Sequence, residues 1–174
     1  MAMPVPDVAP PALADPEQFK AAMQRFPSGV VIATTRGADG GPRGFTASSF
    51  TSVSVAPPMV LLCLANAAAC HRDFCEATHF AVNILGHRQE ALAWLFATRG
   101  ADKFAGGRFL DGPRGLPFLE EAIARMTCRL HATHVHGDHT LLVAEVEAVE
   151  LGDDADAMLR FRQRFVRMAQ ESPA

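Results

Sequence analysis

The sequence predicts a mainly β fold with a few helices, an antiparallel sheet curled into a small barrel. Three observations carry this. Short runs rich in Val, Ile, Thr and Phe recur along the chain, as in Val30–Thr35, Met59–Leu64 and Phe80–Leu85. Two longer segments, Ala124–His136 and Thr140–Leu151, flank Gly137-Asp138, a turn signal of the size that closes a β-hairpin. Strands and helices also fail to alternate regularly, as a doubly wound parallel sheet would require.

Taken in order, the elements follow from local chemistry. Residues 1–15 read as a loose Ala- and Pro-rich arm, with neither the basic start of a signal peptide nor an apolar run long enough for a membrane span. Residues 16–170 form one domain, long enough to bury a core without disulfide or metal staples. Asp15 is placed to cap a helix begun by Pro16, with Gln18 positioned for a reciprocal bond. Phe19, Ala22, Met23 and Phe26 share one face of that helix, which is expected to lie on a core. Pro27 ends it, and Val30–Thr35 turns through Gly37–Pro42 into a strand that starts at Gly44.

Gly44–Val55 reads as a strand in near alternation, whereas Met59–Leu64 is a continuous apolar run suited to burial on both faces. Pro57-Pro58 sets an extended corner between them. A short helix is expected over Ala67–Glu76, a strand over Phe80–Leu85, and a helix over His87–Ala97 with Leu92, Leu95 and Phe96 on its apolar face. Gly100–Pro117, rich in Gly and Pro, is long enough to form a lid. The tail Asp153–Met168 begins acidic and ends with Arg160, Arg162, Arg164 and Arg167, the charge order of a helix.

Composition narrows the function classes. A net charge of −3 gives no general attraction to nucleic acid or anionic membrane. Cys63, Cys70, Cys75 and Cys128 fall outside Cys-x-x-Cys spacing and are expected as thiols in a reducing, cytoplasmic compartment. Gly37–Gly44 joins two strands rather than a strand and a helix, so it is no dinucleotide fingerprint. Lys20 and Lys103 are the only lysines, and neither sits in a phosphate-binding loop of the Walker type. No Gly-x-Ser-x-Gly elbow pairs a nucleophile with a base.

His131, His134, His136 and His139 crowd nine residues, a pattern that raises a metal site. Strand alternation sets His131 opposite His134 and His136, so these read as a solvated face, and only a turn brings His139 to either group. Gly44–Ser54 is the more distinctive stretch, hydroxyl-rich and next to apolar core. By composition it suits either a half-exposed strand or the binding of a polar, planar ligand.

Five landmarks then occur in order: Arg25–Val30, Gly44–Pro58, Phe80–Leu85, Phe104-Ala105-Gly106 and Gly137-Asp138-His139. From about Phe19 to Met168 the chain resembles the flavin reductase-like family, the small reductase components of two-component flavin-dependent monooxygenases. The resemblance implies a split β-barrel of the FMN-binding type, Greek-key-like and homodimeric. It implies FMN or FAD, reduced by NADH or NADPH, with reduced flavin diffusing to a partner monooxygenase. By that similarity Thr46, Ala47, Ser48, Ser49, Phe50 and Ser52 would contact the ring and ribityl chain. Asn66, Cys70 and His71 would receive the phosphate, with main-chain N–H groups of the short helix directed at it. Lys103, Phe104 and Ser28 would be further flavin contacts, and His139 would line the nicotinamide pocket. Ala67-Ala68-Ala69 departs from the Ser, Thr or basic residue that the family carries after the position of Asn66. Two other readings stay open: an oxidase of the same barrel that retains its flavin, and a non-enzymatic flavin or haem carrier.

Overall fold

A computed structural model describes residues 13–153 and 155–167. Helix α1 (Pro16–Met23) starts where Asp15 accepts hydrogen bonds from the Glu17 and Gln18 N–H groups, each at 3.0 Å. Its apolar face meets nothing: Phe19, Met23 and Phe26 are 60%, 50% and 66% exposed, and no residue of the helix is buried. The expectation that α1 lies on a core therefore fails within one chain.

Strands β2 (Val31–Arg36), β3 (Pro42–Ala47), β4 (Thr51–Val55), β5 (Pro58–Ala65), β6 (His79–Ile84), β9 (Ala124–His136) and β10 (His139–Leu151) make one sheet. Its order is β3-β2-β6-β9-β10-β5-β4, and every neighbouring pair is antiparallel. Strands β3 and β4 follow each other in sequence yet lie at opposite edges. The sheet is thus not closed, and the split falls at Ser48–Phe50. This corrects the single strand expected over Gly44–Val55. Hydroxyl residues run on through the break, in Ser48-Ser49 and Thr51-Ser52, so the composition does not register it.

Burial on both faces belongs to β2 rather than β5. Val31 and Ala33 enter one core with Phe74, Phe80 and Leu62, while Ile32 enters a second with Leu92 and Phe96. Along β5 only Val60, Leu62 and Leu64 are buried, and Met59, Leu61 and Cys63 are half-exposed. The all-apolar run hid an alternation because the second face is apolar yet only half-covered by its own chain. Each fully buried Phe or Leu contributes about 1.5–3 kcal/mol.

Helix α2 (His71–Glu76) is shorter than expected and places Phe74 in the first core. After a 3-10 turn at His87–Gln89, α3 (Glu90–Ala97) buries Leu92, Ala93 and Phe96 against the second. The stretch expected as a lid is a fastened wall. It holds β7 (Phe109–Asp111) and β8 (Pro117–Leu119), and Phe104 and Phe109 pack on Phe96 at ring separations of 5.1 and 5.7 Å. Arg36 and Arg114 tie it further, through Asp111 and Glu147. At the sheet, buried Asn83 donates to Ile32 O (3.0 Å) and accepts from Leu119 N–H (2.8 Å), so its amide is satisfied on both sides.

Beyond Asp153 the expected helix is replaced by a hairpin of β11 (Met158–Phe161) and β12 (Arg164–Arg167), which pairs with β1 (Ser28–Gly29). Arg162 and Gln163 turn it with φ of 48° and 63°. The edge of β1 and the Met158 slot in the second core outweigh the charge order along the segment. Residue 154, the end of the tail from Met168, and positions 1–12 of the arm lie outside the described residues.

Candidate functional site

The split in the sheet opens onto a cleft of about 840 Å³. Three segments wall it: β3 with Ser48 and Ser49, the turn of Ala67–Cys70 that leads into α2, and Phe96–Phe104 after α3. His139 reaches the same space because it pairs in register with Ala65, the last residue of β5.

Gly44 shapes the floor. A Cβ there would stand 2.7 Å from Phe96 Cε1 and 2.9 Å from Ala33 O, so only glycine lets the ring pack this closely. Its carbonyl accepts from Lys103 Nζ at 3.0 Å and faces the Cys70 thiol at 3.9 Å. Lys103 also donates to Phe96 O at 2.7 Å, fastening the loop to the helix end. Burial lowers the Lys103 pKa from the ordinary lysine range and pushes the Cys70 thiol up.

The hydroxyls behave differently from one another. Thr46 donates to Ala93 O at 2.7 Å, binding β3 to α3. Ser49 exchanges hydrogen bonds with the main chain of Cys63, donating to O at 3.2 Å and accepting from N–H at 3.0 Å, and so pins the crossing segment to β5. Ser48 is half-buried at the cleft wall.

Of the residues singled out in the sequence, Thr46, Ala47, Ser48, Ser49, Cys70, Lys103, Phe104 and His139 converge on this cleft. Ser28, Phe50, Ser52, Asn66 and His71 do not line it. Ser28 pairs with Arg160 in β1, Phe50 packs on the first core, and Ser52 is exposed on β4. Asn66 and His71 act behind the wall. Thr140 Oγ1 donates to Asn66 Oδ1 at 2.8 Å, which leaves His71 Nε2, 2.9 Å away, as donor to Thr140. Asn66 Nδ2 donates in turn to Gly137 O at 3.3 Å, tying the turn before α2 to the β9–β10 hairpin.

His139 keeps Nδ1 2.7 Å from Asp138 Oδ1, and that hydrogen bond holds the Asp138 carboxyl below the usual range. Nε2 is left for the cleft. Strict alternation is broken at His131 by a bulge: Leu130 and Ala132 pair with consecutive Ala144 and Val143, and His131 Nδ1 sits 3.2 Å from Glu145. His134 and His136 are exposed. Among the described residues no three His, Cys, Asp or Glu side chains are grouped to hold a metal.

Sequence reasoning missed Arg43, Cys63, Ala65 and the Thr98–Asp102 stretch, all on the cleft wall. Strand register brings Ala65 beside His139, and the helix end aims Thr98–Asp102; neither leaves a local motif.

An open antiparallel sheet with a cleft at its split, walled by small residues and main chain together with Arg43, Arg99 and Lys103, defines a small-molecule-binding split sheet. The match to the flavin reductase-like domain runs over residues 23–169, and the chain belongs to that family. The reductase component of a 4-nitrophenol 4-monooxygenase/4-nitrocatechol 2-monooxygenase from Rhodococcus opacus is 41% identical over 151 residues, covering 87% of this chain and 80% of its own. An NADH:riboflavin 5'-phosphate oxidoreductase from Streptomyces pristinaespiralis is 39% identical over 171 residues, covering 97% and 96%. The solved NADH:FAD oxidoreductase of Streptomyces globisporus C-1027, in complex with NAD and FAD fragments, superposes with a TM-score of 0.85 at 35% identity over 94% of this chain and 100% of that one.

Proposed function

We propose that this protein is an NADH-dependent flavin reductase that passes reduced flavin to a separate monooxygenase component. The observation that carries the reading is the convergence of the Thr46–Ser49 wall, Lys103 and His139 on one cleft. Relatives named as NADH:flavin oxidoreductases and as a monooxygenase reductase component support it.

The residues present fit a flavin. The small side chains of Ala47, Ser48 and Ala65 leave room for a planar ring, and Phe104 offers apolar contact. When bound, flavin supplies the acceptor for hydride from the nicotinamide. The chain's task is then to orient two stacked rings and exclude water, which accounts for the lack of a catalytic dyad. Ser48 is the hydroxyl donor at the rim, Lys103 holds the Phe96–Phe104 wall in place, and His139 presents Nε2 to the nicotinamide carboxamide. Asp138 orients that imidazole through Nδ1.

The same reading makes the protein a homodimer in the cytoplasm. The uncovered apolar side chains of α1 and of β4, where Val53 and Val55 are 54% and 90% exposed, suit a second copy, and the four free thiols suit a reducing compartment. No described helix is long and apolar enough to cross a membrane.

NADH oxidation under air, with FMN, FAD or riboflavin added and no other substrate, tests the activity. Turnover that depends on added flavin is expected; none with any flavin would overturn the reading. His139→Ala should raise the KM for NADH more than the Kd for flavin, and equal effects would remove His139 from the nicotinamide site.

A further inference from the structure

The β9–β10 hairpin reaches past the strand that supports it. β5 ends at Ala65, opposite His139, so the turn residues Gly137 and Asp138 lie beyond the last rung of that pairing. Residues 133–138 are all exposed. Asn66 meets this tip at three points. Its N–H donates to Asp138 O at 2.9 Å, its Nδ2 donates to Gly137 O at 3.3 Å, and its Oδ1 accepts from Thr140 Oγ1 at 2.8 Å. One side chain and its own amide thus hold both carbonyls of the turn and the residue after His139.

The other side of this clamp is firmly set. Thr140 is 1% exposed, and its oxygen accepts from His71 Nε2 at 2.9 Å. His71 opens α2, which Phe74 anchors in the first core, and Cys70 at the end of the alanine turn is buried in the same core. Of the two segments that Asn66 joins, burial therefore fixes the alanine turn, and the exposed tip is the one that moves when the bonds are lost. Asn66, Thr140 and His71 do not line the cleft, whereas His139, bracketed by the clamped residues, does.

We propose that Asn66, backed by Thr140 and His71, is the positioning residue for His139: it fixes the hairpin tip against the cleft and so aligns the imidazole with the nicotinamide, touching neither ring. Hydride transfer depends on near-contact alignment of the two rings, so a loosened tip costs NADH turnover before it costs flavin binding. This rests on the reductase reading with His139 at its nicotinamide site. It gives the polar residues behind the wall a part in NADH recognition rather than in holding the flavin.

Asn66 is exposed, so Asn66→Ala removes the two side-chain bonds and leaves the core and the N–H bond to Asp138 O in place. It should lower kcat/KM for NADH about fivefold or more and leave the flavin Kd, read from fluorescence quenching, within about twofold of the parent. Thr140→Val, which takes away the hydroxyl, should act in the same direction, and Thr140→Ser, which restores it, should behave as the parent. If Thr140→Val does not fold, Asn66→Ala decides alone. Added to His139→Ala, Asn66→Ala should change kcat/KM by less than about twofold, because both act through one imidazole. A further loss as large as in the parent background would overturn the proposal, as would equal losses in the NADH and flavin constants or no loss in either. A parent that turns over while Asn66→Ala matches it removes the clamp and leaves the reductase reading. A parent that oxidises no NADH with any flavin removes that reading and the clamp with it.

Discussion

Helices α1 and α3 are both eight residues long, and both carry apolar side chains on one face. Asp15 caps the first, while α3 starts from a 3-10 turn with no side-chain cap, so local signals favour α1. Tertiary contacts reverse the order. Leu92, Ala93 and Phe96 of α3 are buried in the second core, and Lys103 donates to the Phe96 carbonyl in its last turn from the cleft side. Phe19 and Met23 of α1, with Phe26 just beyond it, extend an apolar stripe into open space. Periodicity thus identifies a face that wants covering and says nothing of what covers it.

Substitutions sharpen that contrast, the largest on the covered helix. Phe96→Ala removes a ring shared by the second core and the cleft floor and should cost about 3–5 kcal/mol. A urea-unfolding midpoint barely altered from the parent's would show that α3 is no better anchored than α1. Next, Lys103→Met leaves Gly44 O and Phe96 O without their donor and should cost about 1.5–3 kcal/mol. Its counterpart at the end of α1, Arg25→Ala, loses only an exposed hydrogen bond to Ala21 O and should stay within about 0.5 kcal/mol. Similar losses for the two would erase the distinction between a buried and an exposed helix end.

Burial also leaves a titration signature in the first core. The Cys128 thiol, enclosed in the first core, is pushed up to about 12 from an ordinary 9.0. Above 9.0 the unfolded chain loses this proton while the folded chain keeps it. Its contribution to stability is therefore complete below that pH and declines by about 1.4 kcal/mol per pH unit as pH rises toward the folded value. Cys128→Ala should flatten the alkaline loss of stability by that slope; an unchanged slope would place the thiol in contact with solvent. The smallest effect belongs to α1. Phe19→Ser with Phe26→Ser should shift unfolding of the dilute chain by no more than about 0.5 kcal/mol, and sedimentation of the same variant tests the proposed dimer, which it should weaken. A loss as large as that of Phe96→Ala would mean that α1 is held by its own chain after all.

The candidate site divides along the same line. Gly44–Ser49 was legible because hydroxyls and a glycine beside apolar core are unusual in one short stretch, and the ordered landmarks gave that stretch a meaning. Asn66 and His71 were legible as important but not as to place. Their side chains point to Thr140 and brace the hairpin, which only the pairing of β5 with β10 arranges. Arg43, Ala65 and Arg99 carried no signal, because each becomes a cleft residue through register or a helix end rather than through its neighbours in the chain.

By itself the sequence determined the turns, the caps and most strand positions, since these depend on residues within a few positions of one another: Asp15 with Pro16, Gly137 with Asp138, the β-branched runs between them. It also determined the family, through landmarks whose order does not depend on folding. Only the tertiary structure decided that β2 rather than β5 is buried on both faces, that the sheet splits at Ser48–Phe50, and that the arginine-rich tail is a hairpin. Each of those outcomes depends on segments distant in the chain competing for the same edge or core, and a local pattern that satisfies both alternatives cannot choose between them.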